Sequence, residues 1–451
     1  MSEPVTLLPG ARSARDPGRV VTLGVLGGGQ LGRMFVHAAQ SLGYRTVVLD
    51  PDAASPAGLV AHRHLCAPYD DETALAALAA ECDAVTTEFE NVPAGSLRRL
   101  AASVPVAPAA DAVTVCQHRA LEKSHFERSG VPCVPWARIE AEADLAHVSA
   151  ALFPALLKTA TLGYDGKGQV SVPGPEALAQ AWATLGRVPC VLEQRVPLRG
   201  ELSVVLARDR TGLCVHLPVQ HNVHRDGILA VTQVPAPAVA QAVADEALRL
   251  ATAVAASLDY VGVLCVEFFE LDDGRLLANE MAPRPHNSGH HSLDACDVSQ
   301  FDLQVRTLAG LPLTEPRLHS PTVMLNLLGD LWFAATDGAA GTPDWAAVLA
   351  LPGVHLHLYG KTEPRRGRKM GHLTVTAGTL EDARAVADKA ATLLGLQTLA
   401  DDLPAKALAP VADGDAAAAP SRKTCASGAA ELSMAVSSLD ADRARQAAGR
   451  A

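Results

Sequence analysis

A largely apolar run, Val20-Val-Thr-Leu-Gly-Val-Leu26, stops at Gly27-Gly-Gly-Gln30-Leu-Gly32. Such a run ending in glycines reads as a strand buried on both faces. Helical spacing follows from Met34 to Leu42, closed by Gly43, and Arg45–Asp50 reads as the next strand. A strand, a helix and a strand joined this tightly predict the opening of a parallel, doubly wound sheet. The alternation continues with a helix near residues 72–80, the strand Ala84–Glu88 and a short strand at Val104–Ala107. From Asp111 to Ser129 the pattern is helical, and Gly130 with Pro132 just beyond supplies the stop.

Phe153–Lys158 reads as a strand feeding a glycine-rich loop, Gly163-Tyr164-Asp165-Gly166-Lys167-Gly168-Gln169, with a return strand at Val170–Val172. A helix around Pro175–Leu185 and the strand Cys190–Glu193 complete a small unit. From Arg199 to about Leu403 strands and helices mix, and hairpin signals are frequent. The sharpest is a pair of apolar strands joined by Asp273-Gly274, the dipeptide favoured in a type I′ turn. If those two residues form the whole loop, Glu267 faces Glu280; a one-residue slip puts them on opposite faces. Facing carboxylates repel. A divalent cation would remove that penalty, and oxygen-rich carboxylate sites suit magnesium holding nucleotide phosphates. The bland reading is an exposed hairpin with both glutamates in water, but Asn279, Arg284 and His286 crowd the same segment.

These patterns divide the chain into a flexible extension over 1–18, a doubly wound domain over 19–130 and a small unit over 131–198. A mixed domain over 199–405 and an alanine-rich disordered tail over 406–451 complete it. The class is α/β at the N-terminus and α+β overall. Half the chain is apolar (49%) but only 4% is aromatic, so aliphatic side chains and alanine must build the core. A net charge of −11 argues against a nucleic-acid partner, so an anionic substrate must be met by local basic clusters. Nine scattered cysteines with no C-x-x-C pair, no membrane-length apolar run and no signal-peptide pattern at the start fit a cytoplasmic protein with reduced thiols.

Gly27-x-Gly29-x-x-Gly32, with Asp50 ending the second strand, fits a dinucleotide fingerprint. Its free N–H groups would suit any phosphate, and a tight turn needing glycine only for sterics fits as well. The second glycine loop lies between strands, which excludes P-loop mechanics and suits a flap over triphosphate, with Lys158 as a fixed counter-charge. The basic run from Arg365 to His372, punctuated by Gly367, suits a loop gripping one phosphate. His221 and His224 lack a coherent four-ligand zinc set.

Together these motifs resemble the ATP-grasp superfamily, and within it the N5-carboxyaminoimidazole ribonucleotide synthetases of purine biosynthesis. The resemblance rests on Gly27–Met34, Gly163–Gln169, Asn222–Leu229, Asn279–Gly289 and Gly367–His372, in the family's order, and covers residues 20 to 403. It implies an N-terminal doubly wound domain, a lid carrying the flap and a mixed C-terminal domain. It also implies ATP-dependent carboxylation of 5-aminoimidazole ribonucleotide with bicarbonate, through carboxyphosphate, in a cytoplasmic homodimer. By the same resemblance, Arg119, Lys158 and the flap from Gly163 to Gln169 (Gly166, Lys167 and Gly168 included) meet the ATP phosphates. The backbone of Glu193, Gln194, Arg195 and Val196 holds adenine, Glu201 the ribose, and His224 and Asn279 line the nucleotide site. Glu267 and Glu280 ligate Mg2+, and Arg284 and His286 stabilise carboxyphosphate. Gln30, Tyr164, Asp165, Lys361 and Arg368 meet the ribonucleotide, with Asp165, Arg284, His286 and Lys361 as the catalytic set. Asp165 and His286 both remain candidates for removing the amine proton. The alternatives are a formate-using sibling ligase acting on glycinamide ribonucleotide, an NAD-dependent oxidoreductase resting only on the first glycine motif, and an inactive nucleotide-binding protein.

Overall fold

The computed structural model describes residues 6–163, 168–237, 239–333 and 341–399. Three sheets organise these residues. The first is parallel, with strands β1 (Thr22–Leu26), β2 (Arg45–Leu49), β3 (Arg63–Leu65) and β4 (Ala84–Thr87) in the order β3-β2-β1-β4. Every residue of β1 and β4 is buried, because helices cover both faces. One face packs against helices Glu72–Glu81 and Ala94–Ala101, the other against Gln30–Ser41 and the much later helix Gln300–Ala309. The short strand expected at Val104–Ala107 is reduced to a single bridge between Val85 and Val106.

Residues 6–18, expected to be part of a flexible extension, are instead tied to this domain. The Leu7 N–H donates to the Ala309 carbonyl at 2.8 Å, and the Leu7 carbonyl accepts from the Tyr44 hydroxyl at 2.6 Å. Arg15 donates to the carbonyls of Ala79 and Cys82, and Arg19 pairs with the buried Asp83 at 2.8 Å. Arginine in a polar N-terminal stretch looks solvated in sequence, yet here Arg15 caps the last carbonyls of helix Glu72–Glu81.

The second sheet, the lid, has strands β5 (Trp136–Ile139), β6 (Ala155–Thr159), β7 (Gln169–Val172) and β8 (Cys190–Gln194) in the antiparallel order β5-β8-β6-β7. Helix Pro175–Thr184 covers one face through Leu178, Ala181 and Trp182. The third sheet is antiparallel throughout. It comprises β9 (Gly200–Arg208), β10 (Cys214–His216), β11 (Gln220–Arg225), β12 (Ile228–Val234), β13 (Gly262–Glu270), β14 (Leu276–Ala282), β15 (Thr322–Leu328), β16 (Val354–Leu358) and β17 (Lys369–Thr376). Its order is β14-β13-β9-β11-β12-β15-β17-β16, with β10 beside β9. Helix Gln241–Ser257 buries Leu250, Ala251 and Val254 against the β9 half, and Leu380–Leu393 buries small alanines against the β15 half.

The single helix expected over residues 111–129 is two, Ala110–Cys116 and Arg119–Arg128. The break at Gln117-His118 lets the Arg119 N–H reach the Ala160 carbonyl at 2.9 Å, which ties the second helix to the lid. The disordered tail expected over 406–451 lies outside the described residues. No helix among the described residues is long and apolar enough to cross a membrane.

Candidate active site

The hairpin that carries Glu267 and Glu280 does not close as the sequence suggested. The Leu271 N–H donates to the Arg275 carbonyl and the Gly274 N–H to the Leu271 carbonyl, both at 2.9 Å. The loop is therefore three residues, Asp272-Asp273-Gly274, with Gly274 at φ +79°, the left-handed position glycine fills without steric cost. That extra residue alone would put the glutamates on opposite faces. A bulge in β14 reverses it: Phe268 pairs with Ala278, but Val266 pairs with Met281, so Asn279 and Glu280 together oppose Glu267. Both carboxylates and Asn279 line one cavity of about 690 Å³.

Burial, and then the neighbouring Glu280, push the Glu267 carboxyl above its ordinary range; His286 Nε2 lies 3.2 Å from it. Burial would also raise Glu280, but Arg119 and Lys158 outweigh it and hold that group below its usual value. Arg119 lies 3.1 Å from Glu280 and donates to the Gly163 carbonyl at 3.2 Å, so it joins the hairpin to the first residue of the flap. The Asn279 side-chain oxygen is buried with no hydrogen-bond partner among the described residues. Two carboxylates and an orphaned amide oxygen form a hard-oxygen donor set that fits Mg2+.

Lys158 on β6 and the fully buried Lys123 share Glu193 on β8, at 2.7 and 3.3 Å. Lys123 also donates to the Asn279 carbonyl at 2.7 Å. In the connector, the N–H groups of Gln194 and Arg195 are already taken by the Pro135 and Pro154 carbonyls. A purine edge at this connector would therefore meet the Val196 N–H or the outward carbonyls. Glu201 on β9 and His224 on β11 approach to 2.9 Å. Burial opposes the His224 cation, but the Glu201 contact and Glu267 prevail and raise it to about 9.

Glu122, absent from the sequence-derived set, lies under the hairpin and accepts the Met281 N–H at 2.6 Å. Burial and then Glu280 push its carboxyl up to about 8. A raised carboxyl contributes stability that is complete below the ordinary carboxylate range and is lost as pH rises through about 8. Glu122→Gln keeps the acceptor and stays neutral, so it should melt above the parent near pH 9, by roughly 1–3 kcal/mol, and lose this advantage near pH 5. Thermal melts at the two pH values check it, and equal shifts at both would refute a buried titrating carboxyl.

The glycine turn departs from the phosphate-binding expectation. Gly28 N–H donates to Asp50 at 2.7 Å, Gly29 N–H to Glu88 at 2.5 Å and Leu31 N–H to Glu88 at 3.1 Å. Two carboxylates occupy the donors that a pyrophosphate would need, and Asp50 also accepts from the Tyr69 hydroxyl. The dinucleotide reading fails here because the N–H donors of the turn are already taken. The turn instead lines a second cavity of about 430 Å³, which holds Gln30, Lys361, Arg368 and Lys369. Lys361 Nζ donates to the Lys369 carbonyl at 2.6 Å, and Arg368 donates to the Glu363 carbonyl at 2.8 Å.

The two cavities share Phe89, Arg284, His286 and Lys369. Arg284 is locked by Glu90, at 2.5 Å to one carboxylate oxygen and 3.4 Å to the other. Burial, Arg284, Lys369 and His224 drive the His286 cation far below its ordinary range, so this imidazole is neutral at physiological pH. Gln169 and Gly163 line the larger cavity, whereas Tyr164, Asp165, Gly166 and Lys167 lie outside the described residues. Gly168, at φ +71°, returns the chain to β7. Sequence reading missed Lys123, Glu122, Glu90 and Glu88. The usable signal was Glu122-Lys123 falling on the same helical face as Phe126, where a solvated pair has no place.

Three family models match in order: a ribonucleotide synthetase preATP-grasp domain over 20–117, an ATP-grasp domain over 124–301, and a phosphoribosylaminoimidazole carboxylase C-terminal domain over 322–386. The N5-carboxyaminoimidazole ribonucleotide synthase of Brucella melitensis is 45% identical over 356 residues, which is 78% of this chain and 95% of that protein. The ADP complex of an N5-carboxyaminoimidazole ribonucleotide synthetase superimposes with a TM-score of 0.78 at 37% identity, covering 86% of this chain and 98% of the other. The Aspergillus clavatus enzyme, solved with ADP and 5-aminoimidazole ribonucleotide, gives 0.75 at 31%, covering 83% and 98%. The chain belongs to the N5-carboxyaminoimidazole ribonucleotide synthase family of ATP-grasp ligases.

Proposed function

We infer that this protein is an ATP-dependent carbon–nitrogen ligase that carboxylates the exocyclic amine of 5-aminoimidazole ribonucleotide in purine biosynthesis, releasing ADP and phosphate. The observation that carries this reading is the pair of cavities meeting at Arg284, His286 and Lys369. One is lined by lysine, arginine and facing carboxylates, as a metal-bound triphosphate requires; the other carries the basic rim Lys361, Arg368 and Lys369, as a sugar phosphate requires.

In the proposed sequence a bicarbonate oxygen attacks the γ-phosphorus, the bond to the β-phosphate oxygen breaks, and ADP leaves. The amine nitrogen then attacks the carboxyphosphate carbon, the C–O bond to phosphate breaks, and the amine proton departs. Mg2+, when bound, would offset charge on the phosphates, and Glu267, Glu280 and Asn279 would hold it. Lys158 and Arg119 would orient the phosphates. Glu193 keeps Lys158 on station. Arg284, fixed by Glu90, presents a cation at the boundary where both anions meet. His286 is neutral and therefore able to accept the amine proton; Asp165 is the other candidate. Gln30, Lys361 and Arg368 would hold the ribonucleotide, Glu201 and His224 the nucleotide ribose, and a closing flap would keep water from carboxyphosphate. We further take the protein to act in the cytoplasm as a homodimer.

ADP release is expected only when Mg2+, bicarbonate and 5-aminoimidazole ribonucleotide are all present, with loss of the free amine. Turnover with formate and glycinamide ribonucleotide instead would move the chain to the sibling chemistry.

A further inference from the structure

Strand β16 is the outer strand of the nine-stranded sheet, and β17 is its neighbour. His357 on β16 pairs directly with His372 on β17, so both side chains share a face. Their rings stack at a centroid separation of 4.5 Å and 11°. Asp294, on the short helix Ser292–Ala295, meets them from above: its Oδ2 is 2.8 Å from His357 Nε2, and its Oδ1 is 3.7 Å from His355 Nδ1. One donor atom from each of Asp294, His357 and His372 lies within 4.8 Å of the others. His372 is fully buried; its Nδ1 faces the Tyr359 hydroxyl at 3.0 Å, while its Nε2 has no hydrogen-bond partner among the described residues. A buried imidazole nitrogen left unsatisfied carries a desolvation penalty that a ligand would remove. None of Asp294, His355, His357 and His372 lines either cavity described above.

We propose that Asp294, His357 and His372 form a second cation site, for a borderline transition-metal ion of the Zn2+ class, with His355 or water completing the shell. Two imidazole nitrogens and one carboxylate favour Zn2+ over Mg2+, which prefers oxygen donors. A cation at about 2.0–2.2 Å from each donor replaces the Asp294–His357 hydrogen bond, draws the three groups together and turns the two stacked rings out of parallel, because each imidazole donates in its own plane. The site joins two segments that lead to the reaction centre. Asp294 follows His286 by one short helix, and His357 precedes Lys361 by one turn of chain. Occupancy therefore staples the carboxyphosphate side to the ribonucleotide side without touching either substrate.

The test uses the full chain, stripped of metal and held in saturating Mg2+ and ADP so that the Glu267/Glu280 cluster is filled. Zn2+ alone is titrated by calorimetry, and bound metal is counted by mass spectrometry. The expected result is about one Zn2+ per chain with a raised melting temperature, affinity falling at least tenfold in Asp294→Ala and His357→Ala and persisting in Glu280→Gln. Co2+ in the unaltered chain should give the intense visible bands of a four-coordinate site, a readout that stands even where a variant fails to fold. Zn2+ uptake that survives both substitutions, uptake abolished by Glu280→Gln, or weak six-coordinate Co2+ bands would each overturn the proposal.

Discussion

Replacing Glu280 with glutamine is expected to lower kcat by roughly 10²–10³-fold, the scale set by removing one preorganised electrostatic contact from a transition state. Glu267→Gln should do the same, because both oxygens face one space across the bulged hairpin. Stability separates the two variants. Glu267 is raised above its ordinary range, so its contribution is complete below that range and lost as pH rises through the shifted value. At about pH 8 its charge is a cost, and glutamine should raise the melting temperature. Glu280 is lowered, so its contribution is present above the ordinary range and lost as pH falls through the shifted value. At the same pH, Glu280→Gln should melt lower, leaving Arg119 without its carboxylate partner. Steady-state ADP release across a Mg2+ titration, with melts on both variants, reads the two effects together. Activity within about threefold of the parent would remove the pair from the metal assignment. A repulsive pair kept at a stability cost is the signature of a site selected for function over folding.

The strands and helices of this chain were legible wherever one local period decided them. The strands β1 and β4, the helix after Gly29 and the lid strand before the flap all stand where the pattern placed them. Signals set by partners distant in sequence were not legible. The glycine turn looks ready for phosphate until Glu88 arrives from 59 residues away and occupies its donors. Arg284 looks free for an anion until Glu90, 194 residues distant, claims it. The hairpin is instructive because two local errors cancelled: the loop is one residue longer than Asp273-Gly274 implies, and a bulge at Asn279-Glu280 restores the facing carboxylates. Dipeptide preference reports the turn and not the ladder beyond it, so the correct facing pair came from an incorrect register. The residue types of the candidate site were on view in the sequence; their charge balance needed coordinates.

Glu193→Ala should be the most destabilising single change around the site, by roughly 3–5 kcal/mol, because it strands a buried cation. Lys123 has no exposed side-chain surface and lies between Glu193 and the Asn279 carbonyl. Burial alone would raise the Glu193 carboxyl, but Lys123, Lys158 and Arg119 overcome it and hold the group at about 2. A lowered carboxyl contributes stability that is present above the ordinary range and lost as pH falls through about 2, so the parent should lose this support only in strong acid. The variant loses it at every pH and leaves the buried Lys123 cation without its carboxylate partner. Leucine paired with Lys123→Met should recover much of the loss, since replacing both members of a buried ion pair with packed apolar groups is often near neutral. The double variant should remain impaired in ATP binding, because Lys158 also loses the carboxylate that fixes it. Urea melts of the two single variants and the double, with nucleotide binding followed by calorimetry, separate the outcomes. If Glu193→Ala melts within about 1 kcal/mol of the parent, the lysine pair does not depend on it and its role lies wholly in positioning Lys158. The expected result is one charge with two effects: Glu193 compensates the buried Lys123 and holds Lys158 at the wall of the larger cavity.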